Sequence, residues 1–270
     1  MNTSTQVGEQ LRMWRQRRRL SQLELACEAD ISPRHVSFLE TGRSMPSREM
    51  LLHLAERLDI PLRERNPLLL SAGYAPLYSE RKLDDPALGL AKKAIELVLA
   101  GHEPYPALAV DRHWSLIAAN SAVARMLAGV APRLLEPPVN VLRLALHPEG
   151  LAPRVENFTE WRSHLLSRLR HQIDATADPV LVELHAELQS YPVEGTAPPD
   201  GHLDEYCGVL VPFKLRTEFG VLSFFGTTTV FGTPLDITLA ELAIESFFPA
   251  ESETAELLAA VARGKRRQDR

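Results

Sequence analysis

Cysteine is nearly absent from this chain. Its 270 residues hold only Cys27 and Cys207, and neither has a neighbour at metal-ligand or redox-motif spacing. That excludes a zinc ribbon and a thioredoxin-like pair, and it points to a reduced, cytoplasmic setting. No run of about 18 apolar residues occurs, so no transmembrane helix is expected. The first residues, MNTSTQVGEQ, lack the basic-then-apolar profile of a secretory leader. Also missing are a glycine-rich phosphate loop, His-Glu-x-x-His, Cys-x-x-Cys and any catalytic-triad spacing. No enzyme class, metal or cofactor is therefore expected. What is present is ordinary: 45% apolar and 24% charged residues, enough for one large globular domain or two of usual size.

A net charge of −5 argues against nucleic acid if taken whole, but its distribution reverses the reading. Residues 1–75 carry 11 arginines against 9 carboxylates, a net of +2; the rest carries 19 against 26, a net of −7. The positive excess includes the run Arg15, Arg17, Arg18 and Arg19. A basic run next to a DNA-binding pattern is expected to contact phosphates.

That pattern is Ser21–Gly42, SQLELACEADISPRHVSFLETG. Ser21 with Glu24 makes a capping box, and Leu23, Leu25, Ala26 and Ala29 give the first helix a narrow apolar face. Ser32 caps a second helix with Pro33 in its first turn. In that helix Val36 and Leu39 face inward, Arg34, His35, Ser37 and Phe38 point elsewhere, and Gly42 is the stop. Two short helices, the second presenting polar side chains from its N-terminal half, fit a helix-turn-helix. Around it, residues 6–19 form a helix with Val7, Leu11 and Trp14 inward, Trp14 as core. Another helix runs from Ser47 to Leu58, and a fifth from Pro61 to Gly73 closes the core with Leu68, Leu69 and Leu70. The result is an all-α domain of five helices over residues 1–75.

The run Leu-Arg … Arg-Leu-Ser-Gln-x-x-Leu-Ala … Ile-Ser-x-x-x-Val-Ser-x-x-Glu-x-Gly-Arg-x-x-Pro-Ser, within residues 7–73, resembles the xenobiotic-response-element (XRE, Cro-repressor-like) family of bacterial regulators. The resemblance implies that Gln22 contacts a phosphate and braces the recognition helix, and that Glu40 pairs with an arginine of the first helix, Arg15. It places base readers at Pro33, Arg34, Ser37 and Phe38, with Ser32 beside them. Arg34 can grip guanine O6 and N7 together. Pro33 and Phe38 depart from the usual polar readers and offer only contacts to thymine methyls, so DNA shape gains weight. Arg43 is a phosphate candidate. His35 reads equally as a phosphate contact or a solvated side chain.

Residues 74–88 lose all periodicity and read as a linker, which with the helix 88–99 fills 76–103. Beyond it the character changes. ALAVD (107–111) and WSLIAAN (114–120) read as strands about a turn at Arg112-His113. Helices follow at 119–129, 140–150, 156–173 and 179–191. Strands are then expected at 206–216, 219–231 and 236–249, the last half-exposed because Glu241 and Glu245 alternate with Leu242 and Ile244. A helix closes the chain before a basic tail, 264–270, expected to be disordered. His147-Pro148-Glu149-Gly150 reads as a helix stop in preference to a pocket anchor.

AVDRHWSLIAANSAVARML, NVLRLALHPEGL, FTEWRSHLLSRLRHQI and GVLSFFGTTTVFGTPLDITLAELAIESFFPA together resemble the MmyB-like ligand-binding domain of bacterial regulators. The resemblance spans residues 104–263 and implies an α+β, PAS-like domain: a five-stranded antiparallel sheet with helices on one face. It implies an apolar effector of fatty-acid type. Trp161 and Phe158 on the 156–173 helix, with Phe224 on the central hairpin, are the expected pocket lining. The whole reads as a ligand-responsive, DNA-binding transcriptional regulator that works as a homodimer on an operator. A PAS-like domain used only for dimerisation or recruitment is the competing reading, and an appended enzyme is the weaker rival.

Overall fold

The computed structural model describes residues 3–193, 210–232 and 234–268, with side chains from residue 4 to residue 262. The chain divides into two compact units: Met1–Arg81 with Asp174–Ala177 and Thr233–Ala240, and the remainder.

The first unit is five helices: α1 (Thr3–Arg17), α2 (Gln22–Glu28), α3 (Pro33–Glu40), α4 (Arg48–Arg57) and α5 (Leu62–Ser71). Their starts follow local chemistry. The Ser21 hydroxyl accepts from Glu24 N at 3.1 Å while Glu24 accepts from Ser21 N at 2.6 Å, a reciprocal capping box. Ser32 and Ser47 cap α3 and α4 in the same manner, accepting from His35 N and Met50 N. Val7, Leu11 and Trp14 of α1, Leu25 and Ala26 of α2, Val36 and Leu39 of α3, and Leu51 and Leu54 of α4 form one core. Leu23 and Leu70, expected inside, are 60% and 57% exposed. Each lies two residues, a rotation of about 200°, from a buried leucine of its own helix. Gly8 marks the closest helix contact: a Cβ there would sit 2.4 Å from Leu39 O and 2.6 Å from Glu40 O. Only a residue without a side chain lets α1 approach the end of α3 so closely.

The segment after α5 is no free linker. Asn66 Oδ1 accepts from Leu77 N at 3.0 Å and Tyr78 N at 3.1 Å, and its Nδ2 donates to Tyr78 O at 2.7 Å. One half-buried amide thus does what a periodic sequence would otherwise signal. Residues 236–240, expected as the start of a strand, are tied to the same stretch. Ile237 N donates to Ser79 O at 2.8 Å, Asp236 pairs with Arg81 at 2.9 Å, and Ile237–Ala240 turns as the short helix α11.

In the second unit, α6 (Gly89–Gly101) precedes a five-stranded antiparallel sheet of order β2-β1-β5-β4-β3. Its strands are β1 (Ala107–Val110), β2 (Leu116–Ala119), β3 (Phe213–Thr217), β4 (Gly220–Val230) and β5 (Ala243–Pro249). Between β2 and β3 come α7 (Ser121–Met126), α8 (Val141–Leu146), α9 (Phe158–Thr176) and α10 (Pro179–Ser190). The expected α+β architecture is present. Strand β5 is central, paired with both β1 and β4, so Ile244 and Glu245 are both buried, at 5% and 6% exposure. The alternation expected to leave one face exposed is therefore lost at Ile244 to Ser246, which are all buried, while the rest of the strand is partly covered. Leu222 and Phe224 of β4 point into the main core, while Phe225 lies on the alternate face stacked on Phe248, ring centres 5.5 Å apart. Period-two alternation fixes both positions.

The last helix, α12, runs from Ser252 to Gln268, so the backbone of the basic tail is helical to that point. The loop 192–205 and the strand expected from 206 lie largely outside the described residues. Among the described residues no helix is long and apolar enough to cross a membrane.

Candidate functional site

Two sites emerge, one in each unit. The first is the outer face of α2 and α3. Arg15 on α1 donates from Nε to Glu40 Oε1 at 2.5 Å and from Nη2 to Oε2 at 2.9 Å, with side chains only 10% and 3% exposed. The remaining donor Nη1 reaches Leu20 O at 2.7 Å. Hydrogen bonding to Glu40 raises Arg15 further above its ordinary value. Gln22 Nε2 donates to Glu40 Oε2 at 2.8 Å, so the start of α2, the end of α3 and α1 meet on one carboxylate. A bidentate pair fixes direction as well as distance, which sets the pose of α3.

On the surface so oriented, Ser32, Pro33, Arg34 and Arg43 are exposed, and Ser37 and Phe38 are half-buried. The Ser32 hydroxyl accepts from His35 N at 3.1 Å. The guanidiniums of Arg34 and Arg43 lie over the Phe38 ring, 5.1 and 5.8 Å from its centre. Phe38 thus carries the two arginines, a role its apolar side chain gave no hint of in sequence. The basic run on α1 is largely structural. Arg15 is inside the ion pair, and Arg18 donates to Leu58 O at 2.8 Å and Asp59 O at 2.6 Å, closing the end of α4. Trp14 is core, 3% exposed.

The second site is a cavity of about 280 Å³ between the sheet and α7, α8 and α9. Helix α9 crosses the sheet so that Trp161, His164, Leu165 and Arg168, at i, i+3, i+4 and i+7, all line it. That is one continuous helical stripe. Leu144 of α8 and Phe213 and Phe247 of the sheet complete much of the apolar wall. Of the expected lining, Trp161 is there. Phe224 is fully buried in the core and Phe158 packs at its margin; neither lines the cavity. The alternation that turns Phe224 inward also brings its neighbours Phe213 and Phe247 to the wall, with ring centres 6.3 Å from it.

Three polar features interrupt this apolar wall. Arg168 holds Glu245 through Nη1–Oε2 at 2.9 Å and Nη2–Oε1 at 2.6 Å, and Nη2 also donates to Thr228 Oγ1 at 2.7 Å. Its guanidinium lies 4.7 Å from the Trp114 ring centre. Trp114 has φ +66°, a left-handed backbone that costs a bulky residue about 1–3 kcal/mol, and its Nε1 donates to Gln172 at 2.8 Å. The strain is held where the ring supports the arginine. Second, burial, with the Arg168 charge adding to it, holds His164 below the usual imidazole range. Third, Trp161 stacks on His164 and on Phe213, ring centres 5.5 and 4.9 Å away, yet its buried Nε1 has no partner among the described residues.

His164, Arg168 and Glu245 were missed by sequence reasoning, which looks for apolar residues on a lining face. The signal available was their spacing from Trp161 on α9. His147, by contrast, closes the turn after α8: its Nδ1 accepts from Glu149 N at 3.0 Å, and it is not among the cavity residues. Among the described residues no cluster of His, Cys, Asp and Glu could hold a metal.

A helix-turn-helix domain model matches residues 6–68. Among solved structures, the chain is similar to the clp gene regulator ClgR from Corynebacterium glutamicum, at 25% identity over 38% of this chain and 97% of that one, with a TM-score of 0.24. That score is too low to bear on the fold. No curated protein matches the chain. The model of the MmyB-like transcription regulator ligand-binding domain matches residues 91–261, well over half of the chain and the whole cavity-bearing sheet, and the protein belongs to that family of DNA-binding transcription regulators.

Proposed function

We propose that this regulator binds a two-fold DNA operator as a homodimer and that a small, largely apolar molecule of fatty-acyl type, held in the cavity, sets its affinity for that operator. The observation that carries the reading is the cavity itself, about 280 Å³ walled mainly by apolar side chains. A well-packed interior leaves few voids of such size. Each methylene that a ligand buries there gains roughly 0.8 kcal/mol. On the DNA side, Arg34 reads a base, Arg43 and Gln22 hold phosphates, and Ser32, Pro33, Ser37 and Phe38 complete the contact surface. One module of this size makes too few base contacts for operator specificity, hence the dimer. An effector acts by binding one of two states more tightly than the other.

Native mass spectrometry of the full-length protein purified from cells tests this directly. Protein bearing a small apolar adduct, and an operator affinity that shifts severalfold in gel-shift assays when the adduct is extracted and restored, is the expected result. Protein free of adduct under every growth condition, with operator binding indifferent to extraction, would leave the PAS-like unit a dimerisation or recruitment module only.

A further inference from the structure

We infer that the cavity selects an uncharged molecule carrying one hydrogen-bond acceptor, such as a ketone, ester or amide on a short apolar chain, and discriminates against a free carboxylate. This rests on the sensing role proposed above and narrows its ligand class.

The first argument is the orphan donor. An indole N–H can only donate, and buried donors in folded proteins find a partner nearly always. Trp161 is 7% exposed, lines the cavity, and its Nε1 has no acceptor among the described residues. Stacking on His164 and Phe213 from its two neighbours, at 5.5 and 4.9 Å, fixes the ring, so the donor cannot turn to find one. An acceptor carried by a molecule in the cavity would satisfy it.

The second argument is charge. Among the described residues the cationic side chain lining the cavity is Arg168, and three of its five N–H donors go to Glu245 and Thr228. Arg168 and Glu245 cancel. The other basic lining group is His164, and burial together with the Arg168 charge, against a smaller opposing pull from Glu245, disfavours its charged form. An incoming carboxylate would therefore bring a second negative charge to a guanidinium already neutralised by Glu245, or would have to displace Glu245 and strand it at 6% exposure. Burying an uncompensated ion is strongly unfavourable. A neutral acceptor takes the indole N–H and meets none of these penalties.

The third argument is size. An apolar cavity of about 150 Å³ holds benzene. By proportion this one, at about 280 Å³, holds roughly ten to twelve non-hydrogen atoms. That is a medium chain, well short of a membrane fatty acid.

The test uses three ligands with the same number of non-hydrogen atoms: methyl octyl ketone, nonanoate and undecane. Each is titrated calorimetrically at neutral pH into the full-length protein after extraction of any endogenous ligand. Nonanoate is expected to bind more weakly than the ketone and undecane. Trp161→Phe keeps an aromatic ring and removes the donor, so it should weaken the ketone about five- to tenfold more than it weakens undecane, the contribution of one hydrogen bond to a buried donor; undecane is the control for the altered wall. Glu245→Gln frees the Arg168 guanidinium and should raise nonanoate above the ketone without touching Trp161. Nonanoate as the tightest wild-type ligand, or a ketone no more sensitive to Trp161→Phe than undecane, overturns the head-group assignment while leaving the sensor in place. Failure of all three to bind removes the sensor reading itself.

Discussion

Both units bury a bidentate arginine–glutamate pair, and both set an arginine over an aromatic ring, but they distribute these devices differently. In the helical unit the tasks are divided. Arg15 takes Glu40 within the core, and Arg34 and Arg43 take Phe38 at the surface. In the sheet unit one residue, Arg168, holds Glu245, Thr228 and the Trp114 ring together. The first pair is enclosed, with 10% and 3% of its side chains exposed; the second is more open, at 33% and 8%, and borders a cavity. An enclosed pair holds geometry. A pair beside empty space can be shifted by what fills that space. The contrast separates a rigid reading surface from a responsive interior.

Removing the carboxylates should expose that contrast most strongly. Glu40→Ala leaves Arg15 buried and charged without its partner, and also strips Gln22 of an acceptor. About 3–5 kcal/mol of stability should be lost from the helical unit, the range for a broken buried pair. Glu245→Ala leaves Arg168 a third exposed, able to recover water and still resting on Trp114, so about half that loss is expected. Urea unfolding of the two variants, followed by circular dichroism, checks the order. Equal losses would mean the two pairs are alike and the comparison is empty.

On the reading surface the effects move from stability to recognition. Arg34→Ala should weaken the best operator by about 1–3 kcal/mol while scarcely changing random duplex, as loss of a bidentate base contact does. Arg43→Ala should weaken all duplexes alike and lower the salt slope by about one. Phe38→Leu sharpens the point further. If the ring serves to carry the arginines, losing it should cost about 0.5–1 kcal/mol per cation–π contact, on operator and random DNA alike. If the ring instead touches a thymine methyl, the loss will be confined to duplexes with that thymine. Gel shifts over a set of single-base operator variants separate the two.

How much of this was legible beforehand depended on how local the cause was. The caps at Ser21, Ser32 and Ser47, and the inward positions Val36 and Leu39, are decided within four residues and could be read directly. So could the class of each unit. Asn66 could not: it holds Leu77 and Tyr78, eleven and twelve residues away, and turns an apparent linker into part of a unit. Glu245 was readable as strand but not as buried, because its burial depends on β1 and β4 flanking β5 and on an arginine 77 positions earlier. The lining stripe on α9 carried the right period. Two of its four members are ionisable, however, and composition alone sends such residues to the surface. Phe224 failed as a lining residue for the opposite reason, since alternation gives the face and not which side chains on that face meet a void.

The smallest predicted effect concerns His164, and it sets the interior site apart from the surface one once more. Burial, reinforced by Arg168, lowers its folded-state value, so the unfolded chain takes up a proton at a pH where the folded chain does not. Stability then rises with pH across that interval. The contribution is fully present above the ordinary histidine range and is lost as pH falls from there through the lowered folded value. Substituting His164→Phe, which keeps an aromatic partner for Trp161, should flatten this part of the pH–stability profile. Thermal midpoints of the wild type and the variant, measured from neutral pH down into the acid range, decide the matter: a slope unchanged in His164→Phe would show that the cavity wall is wet, and that the interior pair is no better shielded from water than the surface it was contrasted with.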